Sequence, residues 1–382
     1  MMPINKRLKR ELKKNFAKYF FIGLVLFMGI TIISAFFTAT DGIMSTIESQ
    51  QSDCNIEDAN VTLVSQLSDD NISRLHEIGV NDLEDTSYCD VTALDDSDYT
   101  MRVFRVRDSV DKLSLIEGEL PANDKQIVLE SKTASAKDLS VGDEIDVDGK
   151  NYTLSGIVAV VDYNNVLQTV SSGVSNLKTF GLGFVSKQAF DGLDSAKMTI
   201  QYSLTAEDEQ SIDDAYNYLM DEEIAVNILK QSDNPRIKSI SDKTNTLKAE
   251  VTLISVVFVL LMVFIFYAMT SASVEKDSNL IGTFFSMGYT RWEIIQHYVR
   301  LPLIITLIGS VLGMITGSLL FAEPIGKITY STYSLPTFSG KVNLYLIIMC
   351  CVIPLIIQFI INCLLLAKKL KTTPALLMRG KG

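Results

Sequence analysis

Apolar residues along this 382-residue chain collect in four runs, 19–39, 251–273, 301–321 and 343–366, each almost free of charge. Each has about 20 residues, the length that a hydrocarbon core of about 30 Å demands of a helix rising 1.5 Å per residue. The pattern predicts four transmembrane helices. The first run, followed by the small residues of "FFTATDG", also suits a cleaved signal peptide, but its apolar stretch exceeds the roughly 7–15 residues of such signals.

Between the first two runs the periodicity changes. "LSDDNISRLHEIGV" predicts a short amphipathic helix capped by Ser68 and stopped at Gly79, with strands at 60–65 and 86–93 beside it. Thr205 with Asp208 resembles a capping box that opens a second helix, followed by a strand near 224–229. In the middle, Ile145 and Val147, then Tyr152 and Leu154, alternate around Asp148-Gly149, a hairpin signal. The expected domain, 40–250, is therefore α/β, built of βαβ units with a mostly β subdomain inserted at 110–195.

Both stems of this domain continue the helices of the spans. Ile33, Phe36, Thr40, Ile43 and Ile47 step by three and four, as do Ile237, Ile240, Thr244, Leu247, Val251 and Ile254. Each is an a/d seam. Either the seams face each other as a stalk, with Ile43, Ile47, Ile240 and Leu247 along it, or each packs on its own domain.

Charge orients the chain. The first 18 residues hold seven Lys/Arg against Glu11, and the tail 367–382 holds five and no acid. The positive-inside rule then places both termini in the cytoplasm, 40–250 and the loop 322–342 outside, and 274–300 inside. In residues 1–18, Ile4, Leu8, Leu12 and Phe16 form one apolar stripe on a basic helix, as expected of a segment lying on membrane lipid. The segment 41–248 carries 39 Asp/Glu against 17 Lys/Arg, a surface that argues against nucleic-acid partners.

Candidate chemistry is sparse. The two histidines, His76 and His297, lie in different segments, and no Cys/His spacing suits zinc. "EPIGKIT" lacks the leading glycine and the hydroxyl of a P-loop. The sequence points to no catalytic, cofactor or metal site. The spans lack the ionisable residues that ion or proton relays need. Cys350, Cys351 and Cys363 fall in the fourth span, while pairing of Cys54 with Cys89 is left open. Gly309, Gly313 and Gly317 recur every four residues, a smooth ridge for close helix approach within the subunit or across a dimer. Pro302 and Pro354 are each placed to bend a span.

The polar elbow between the second and third runs carries the densest local signals. A helix from Ser278 to Met287 should stop at Gly288, free to turn left-handed, and Thr290 with Glu293 should cap a second helix that displays Trp292, Ile295 and Val299.

Here the sequence resembles the FtsX/MacB-type permeases of ABC transporters. The likeness rests on Glu275, Ile281-Gly282, Met287-Gly288, Thr290-Arg291, Ile294-Ile295 and the ridge Gly309, Gly313, Gly317. Gly118, Pro121, Gly142-Asp143 and Gly156 in the outer segment, and Pro374, Leu377 and Arg379 in the tail, agree with it. Arg300-Leu301-Pro302 departs from relatives that often have an acid at the entry of the third span. Many Gram-positive relatives are twice as long, so a complete transporter would need two copies or a paired permease.

The resemblance implies a non-catalytic subunit in the cell membrane of a Gram-positive bacterium, with porter-like units outside and a separate cytoplasmic ATPase dimer that binds the ATP. ATP-driven closure of that dimer would move the spans and outer domain, expelling or extracting peptides, lipopeptides, lipids or drugs. The alternative is an FtsX-like regulator of a cell-wall hydrolase, with nothing transported. An extracytoplasmic adaptor or hydrolase is a further expected partner. On this reading Ile281, Gly282, Phe284, Phe285, Met287, Gly288, Tyr289, Thr290, Arg291 and Trp292 couple to the ATPase, with Ile281, Phe284, Phe285, Met287, Tyr289 and Trp292 facing it.

Overall fold

The computed structural model describes residues 12–194, 197–336, 340 and 342–370. Ile4, Leu8, Pro374, Leu377 and Arg379 lie outside them. The chain divides into a unit of Met1–Gly42, Thr246–Thr329 and Gly340–Gly382, and a unit of Ile43–Asn245 and Tyr330–Ser339.

The first unit holds four helices apolar and long enough to cross a bilayer among the described residues. The chain is a membrane protein, with a large α/β domain between the first and second of these helices. The helices outrun the apolar runs that announced them. Phe16–Asp53 has 38 residues and Pro235–Lys276 has 42. At 1.5 Å per residue they reach about 57 and 63 Å, roughly twice a hydrocarbon core. The third helix, Arg291–Thr316, passes through a π-helical turn at Gly317–Phe321 into Ala322–Thr329. The fourth is assembled from Leu344–Ile347, a π turn at Ile348–Val352, and Ile353–Lys369.

The second unit is one mixed sheet of strands β1 (Ala59–Leu63), β2 (Val80–Asp85), β3 (Tyr88–Ala93), β4 (Asp96–Arg105), β5 (Ser114–Gly118), β6 (Gln126–Glu130), β7 (Glu144–Val147), β8 (Lys150–Ala159), β9 (Phe180–Val185), β10 (Met198–Ala206) and β11 (Ala225–Lys230). Its order is β11-β1-β10-β3-β4-β9-β6-β8-β5, with β2 against β10 and β7 against β3 and β8. Two βαβ units form one end, around the helices Asp69–Ile78 and Glu209–Asp221, whose apolar faces cover Val61, Val80 and Leu204. β10 joins the two regions, because Met198 and Thr199 pair with β3 while Ile200–Ala206 pair with β1 and β2.

The β-rich region is wider than 110–195. β3 and β4 belong to it because β4 lies parallel to β9 from Thr100↔Phe180 to Arg105↔Val185. Asp148 and Gly149, at φ 55° and 76°, make the two-residue turn between β7 and β8. Ser68 caps its helix, and Gly79 ends it at φ 113°. The cap of the second helix is Asp208 rather than Thr205: Asp208 accepts from the Ser211 N–H, and Thr205 is still paired within β10.

Candidate functional site

The elbow begins with the helix Ser278–Ser286, capped at Met287. Gly288 follows at φ 86°, and a Cβ there would meet nothing within 4 Å. The turn thus needs glycine for backbone conformation rather than for room. Thr290 then opens the next helix: its hydroxyl accepts from the Glu293 N–H at 3.3 Å, and Glu293 accepts from the Thr290 N–H at 2.8 Å. The Thr290 N–H and hydroxyl hold the Glu293 carboxyl below its ordinary range. Tyr298, two turns on, donates to Asp277 at 2.9 Å and ties the second helix back to the start of the first.

The coupling candidates divide into two sets. Ile281 and Gly282 are buried, with Ile281 packed among Val274, Ile294, Tyr298 and Leu366. Phe284, Phe285 and Tyr289 are half-buried, and Phe284 meets Tyr289 edge-on at 5.5 Å. Ile295 and Val299, expected on display, are buried too. The correction has a simple cause: the elbow folds onto the ends of the second and fourth spans, which cover its most apolar face. Exposed are Met287 (66%) and Trp292 (53%), with Gly288, Thr290 and Arg291 around them.

The glycine ridge packs within the subunit. A Cβ at Gly309 would lie 2.8 Å from Leu26 Cδ2, and one at Gly313 2.8 Å from the Phe27 carbonyl oxygen. One at Gly317 would overlap Ser34 Oγ and the Thr31 carbonyl. The first and third spans therefore touch backbone to backbone, close enough for Ser34 Oγ to donate to the Gly313 carbonyl at 3.3 Å and Thr38 to Ser318 at 3.0 Å. Asp41 pairs with Lys248 at 2.6 Å and accepts from Asn343 at 2.6 Å, which links the first, second and fourth helices of this unit.

Residues 252–375, elbow and ridge included, match the model of the FtsX-like permease C-terminal domain. This part of the chain is similar to the FtsX-like permeases. By sequence, none of the curated proteins matches the chain. Among solved structures, the extracellular domain of the noncanonic ABC-type transporter YknZ from Gram-positive bacteria is similar at 14% identity and a TM-score of 0.29, over 44% of this chain and 100% of that one.

The FtsX-like domain also contains a feature the sequence reading passed over. Pro302, Thr306 and Ser310 on the third span and Pro354, Gln358 and Asn362 on the fourth are all buried at i, i+4, i+8. Thr306, Pro354 and Gln358 line one small void of about 10 Å³ with residues of the first two spans. The shared proline-polar-polar spacing was the available signal.

In the outer unit, Ile43, Ile47 and Ile240 are buried, while Leu247, in the membrane unit, is half-buried. Cys54 lies against Ser114 and Cys89 against the Asp194 carbonyl, and both thiols are free. His76 Nδ1 sits 2.8 Å from the Val80 carbonyl, at the end of its own helix. Among the described residues no group of three or more His, Cys, Asp and Glu is placed to hold a metal ion. Sequence reasoning also missed a buried ionic cluster of Glu57, Arg107, Asp111 and Asp162, and a node at Asn164 and Asn165.

Proposed function

We propose that this chain is the membrane subunit of an ABC transporter, and that its elbow receives the stroke of a separate cytoplasmic ATPase dimer. One observation carries the reading. Met287 and Trp292 stand exposed on either side of the left-handed Gly288, while Ile281, Ile294 and the Tyr298–Asp277 hydrogen bond hold the elbow on the helix ends. An exposed Met–aromatic pair on an immobilised turn suits a partner surface, where such side chains anchor binding. Displacing that turn displaces the spans directly.

The basic ends support both termini being cytoplasmic, in the cell membrane of what we take to be a Gram-positive bacterium. ATP stays on the partner. A second permease copy or paralogue completes the assembly, with an adaptor or hydrolase outside as a further partner. The cargo, a peptide, lipopeptide, lipid or drug, is expelled or extracted on the outer side.

The test is co-purification of the full chain with its candidate ATPase, followed by ATP hydrolysis with and without the permease. A stable complex with an altered hydrolysis rate is expected. No complex and no change would overturn the reading.

A further inference from the structure

Tyr330–Ser334, between the third and fourth spans, belongs by its contacts to the outer unit. Ser334 is fully buried there. Its N–H donates to the Asn164 carbonyl at 2.7 Å, its carbonyl accepts from Asn164 Nδ2 at 2.9 Å, and its hydroxyl accepts from the Val160 N–H at 3.1 Å. Tyr333 bridges Asn165 in antiparallel fashion, and the Lys243 ammonium lies 5.0 Å from the Tyr333 ring centre and 5.4 Å from that of Tyr330.

The same two asparagines hold both stems. Asn164 Nδ2 also donates to Gln50 Oε1 at 3.1 Å, on the helix that continues the first span. The Asn165 N–H donates to the Arg236 carbonyl at 2.8 Å and its side chain to Ser239 at 3.1 Å, both on the helix that continues into the second span. Chain leading to all four spans thus meets at two adjacent residues, through hydrogen bonds that are mostly buried. Stretching such a joint strands a buried donor or acceptor, which the fold resists. It should move as one piece.

We propose that Tyr330–Ser334 is a third input to the outer unit: a latch that delivers displacement of the third and fourth spans to Asn164 and Asn165, in parallel with the two stems. Asn164, Tyr333 and Ser334 act as positioning residues. The latch rests on the ATPase-coupling reading above. A segment that merely covered the apolar seam of the stems would tolerate smaller side chains without loss of coupling.

The experiment uses the full chain with its ATPase in lipid nanodiscs. Wild type is measured first, with and without reductant; if it leaves ATP hydrolysis unchanged, the coupling reading itself fails. Given coupling, the double variant Tyr333→Ala, Ser334→Ala should lower the permease-dependent rate by roughly 2- to 30-fold, the range expected for residues along a coupling path. Its assembly with the ATPase should be unchanged. A second variant, Val160→Cys with Ser334→Cys, compares one folded molecule in two states. Oxidised, it should couple like wild type, and reduced it should fall toward the double variant. Coupling at the wild-type level in the reduced pair, or in a folded double variant, would overturn the latch.

Discussion

Arg107 Nη1 donates to Asp162 Oδ1 at 2.7 Å, and both side chains are buried in the outer unit. Two more carboxyl groups, those of Asp111 and Glu57, lie close enough to this guanidinium for charge attraction. Asp111 lends its carbonyl to Arg107 and one oxygen to the Glu57 N–H, while Glu57 accepts from Asn60 and Ser203. Removing Arg107 leaves three buried acids without their cation. Arg107→Ala should cost about 3–5 kcal/mol, the usual penalty for breaking a buried ion pair from one side. Equilibrium unfolding of the full chain in detergent measures it, and a change under 1 kcal/mol would show that the acids find other compensation.

The same cluster sets a pH dependence. Burial first, then the neighbouring carboxylates, push the carboxyls of Glu57 and Asp111 upward, Asp111 well above its ordinary value. The folded state therefore holds protons that the unfolded chain releases in the ordinary carboxylate range. Stability from this source is fully present below that range and is lost as pH rises through the elevated folded values. Arg107 limits the loss but cannot neutralise Glu57, Asp111 and Asp162 together. Thermal unfolding scanned upward from about pH 4 should show a falling midpoint, and Asp111→Asn should flatten that slope. An unchanged slope in Asp111→Asn would place the effect elsewhere.

The ridge on the third span predicts graded sensitivity. At Gly309 the nearest atom to a new Cβ is the flexible end of Leu26, whereas at Gly313 it is the Phe27 carbonyl, with Ile30 Cβ at 3.0 Å. Side-chain ends can yield and backbone cannot. Gly313→Ala should therefore cost about 1–3 kcal/mol, as overpacking does, and Gly309→Ala distinctly less. Unfolding of both variants in the same detergent compares them; equal losses would contradict this packing.

What the sequence made legible was local. The four spans, the Ser68 and Thr290 caps and the turns at Asp148-Gly149 and Gly288 each depend on residues a few positions apart. The node was illegible because Asn164 lies 114 residues from Gln50 and 170 from Ser334, and nothing in "VDYNNVLQ" marks either distance. Thr205 was misread as a cap because β10 runs on to Ala206, where a Thr205 cap would start the helix, and the helix begins three residues later at Glu209. Ile281 was misread in another way. Helical phase shows which residues share a face, but in "NLIGTFFSM" every face carries an apolar residue. Only the covering helices decide which is buried.

That distinction yields the sharpest test of the elbow. Ile281 is a packing residue, so Ile281→Ala should lower stability by about 2–5 kcal/mol, as truncation of a buried aliphatic side chain does. Any loss of ATPase coupling would follow from that damage. Met287 and Trp292 are exposed, so Met287→Ala and Trp292→Ala should leave unfolding within about 0.5 kcal/mol of wild type. They should nonetheless reduce permease-dependent ATP hydrolysis, because what they lose is partner contact. Gly288→Val separates backbone from contact: the space is open, but a β-branched residue at φ 86° is strained. It should reorient the second helix of the elbow and uncouple hydrolysis while the spans remain folded. Measuring unfolding and ATP hydrolysis on the same preparations decides the matter. Wild-type coupling in both Trp292→Ala and Gly288→Val would remove the elbow as the docking site.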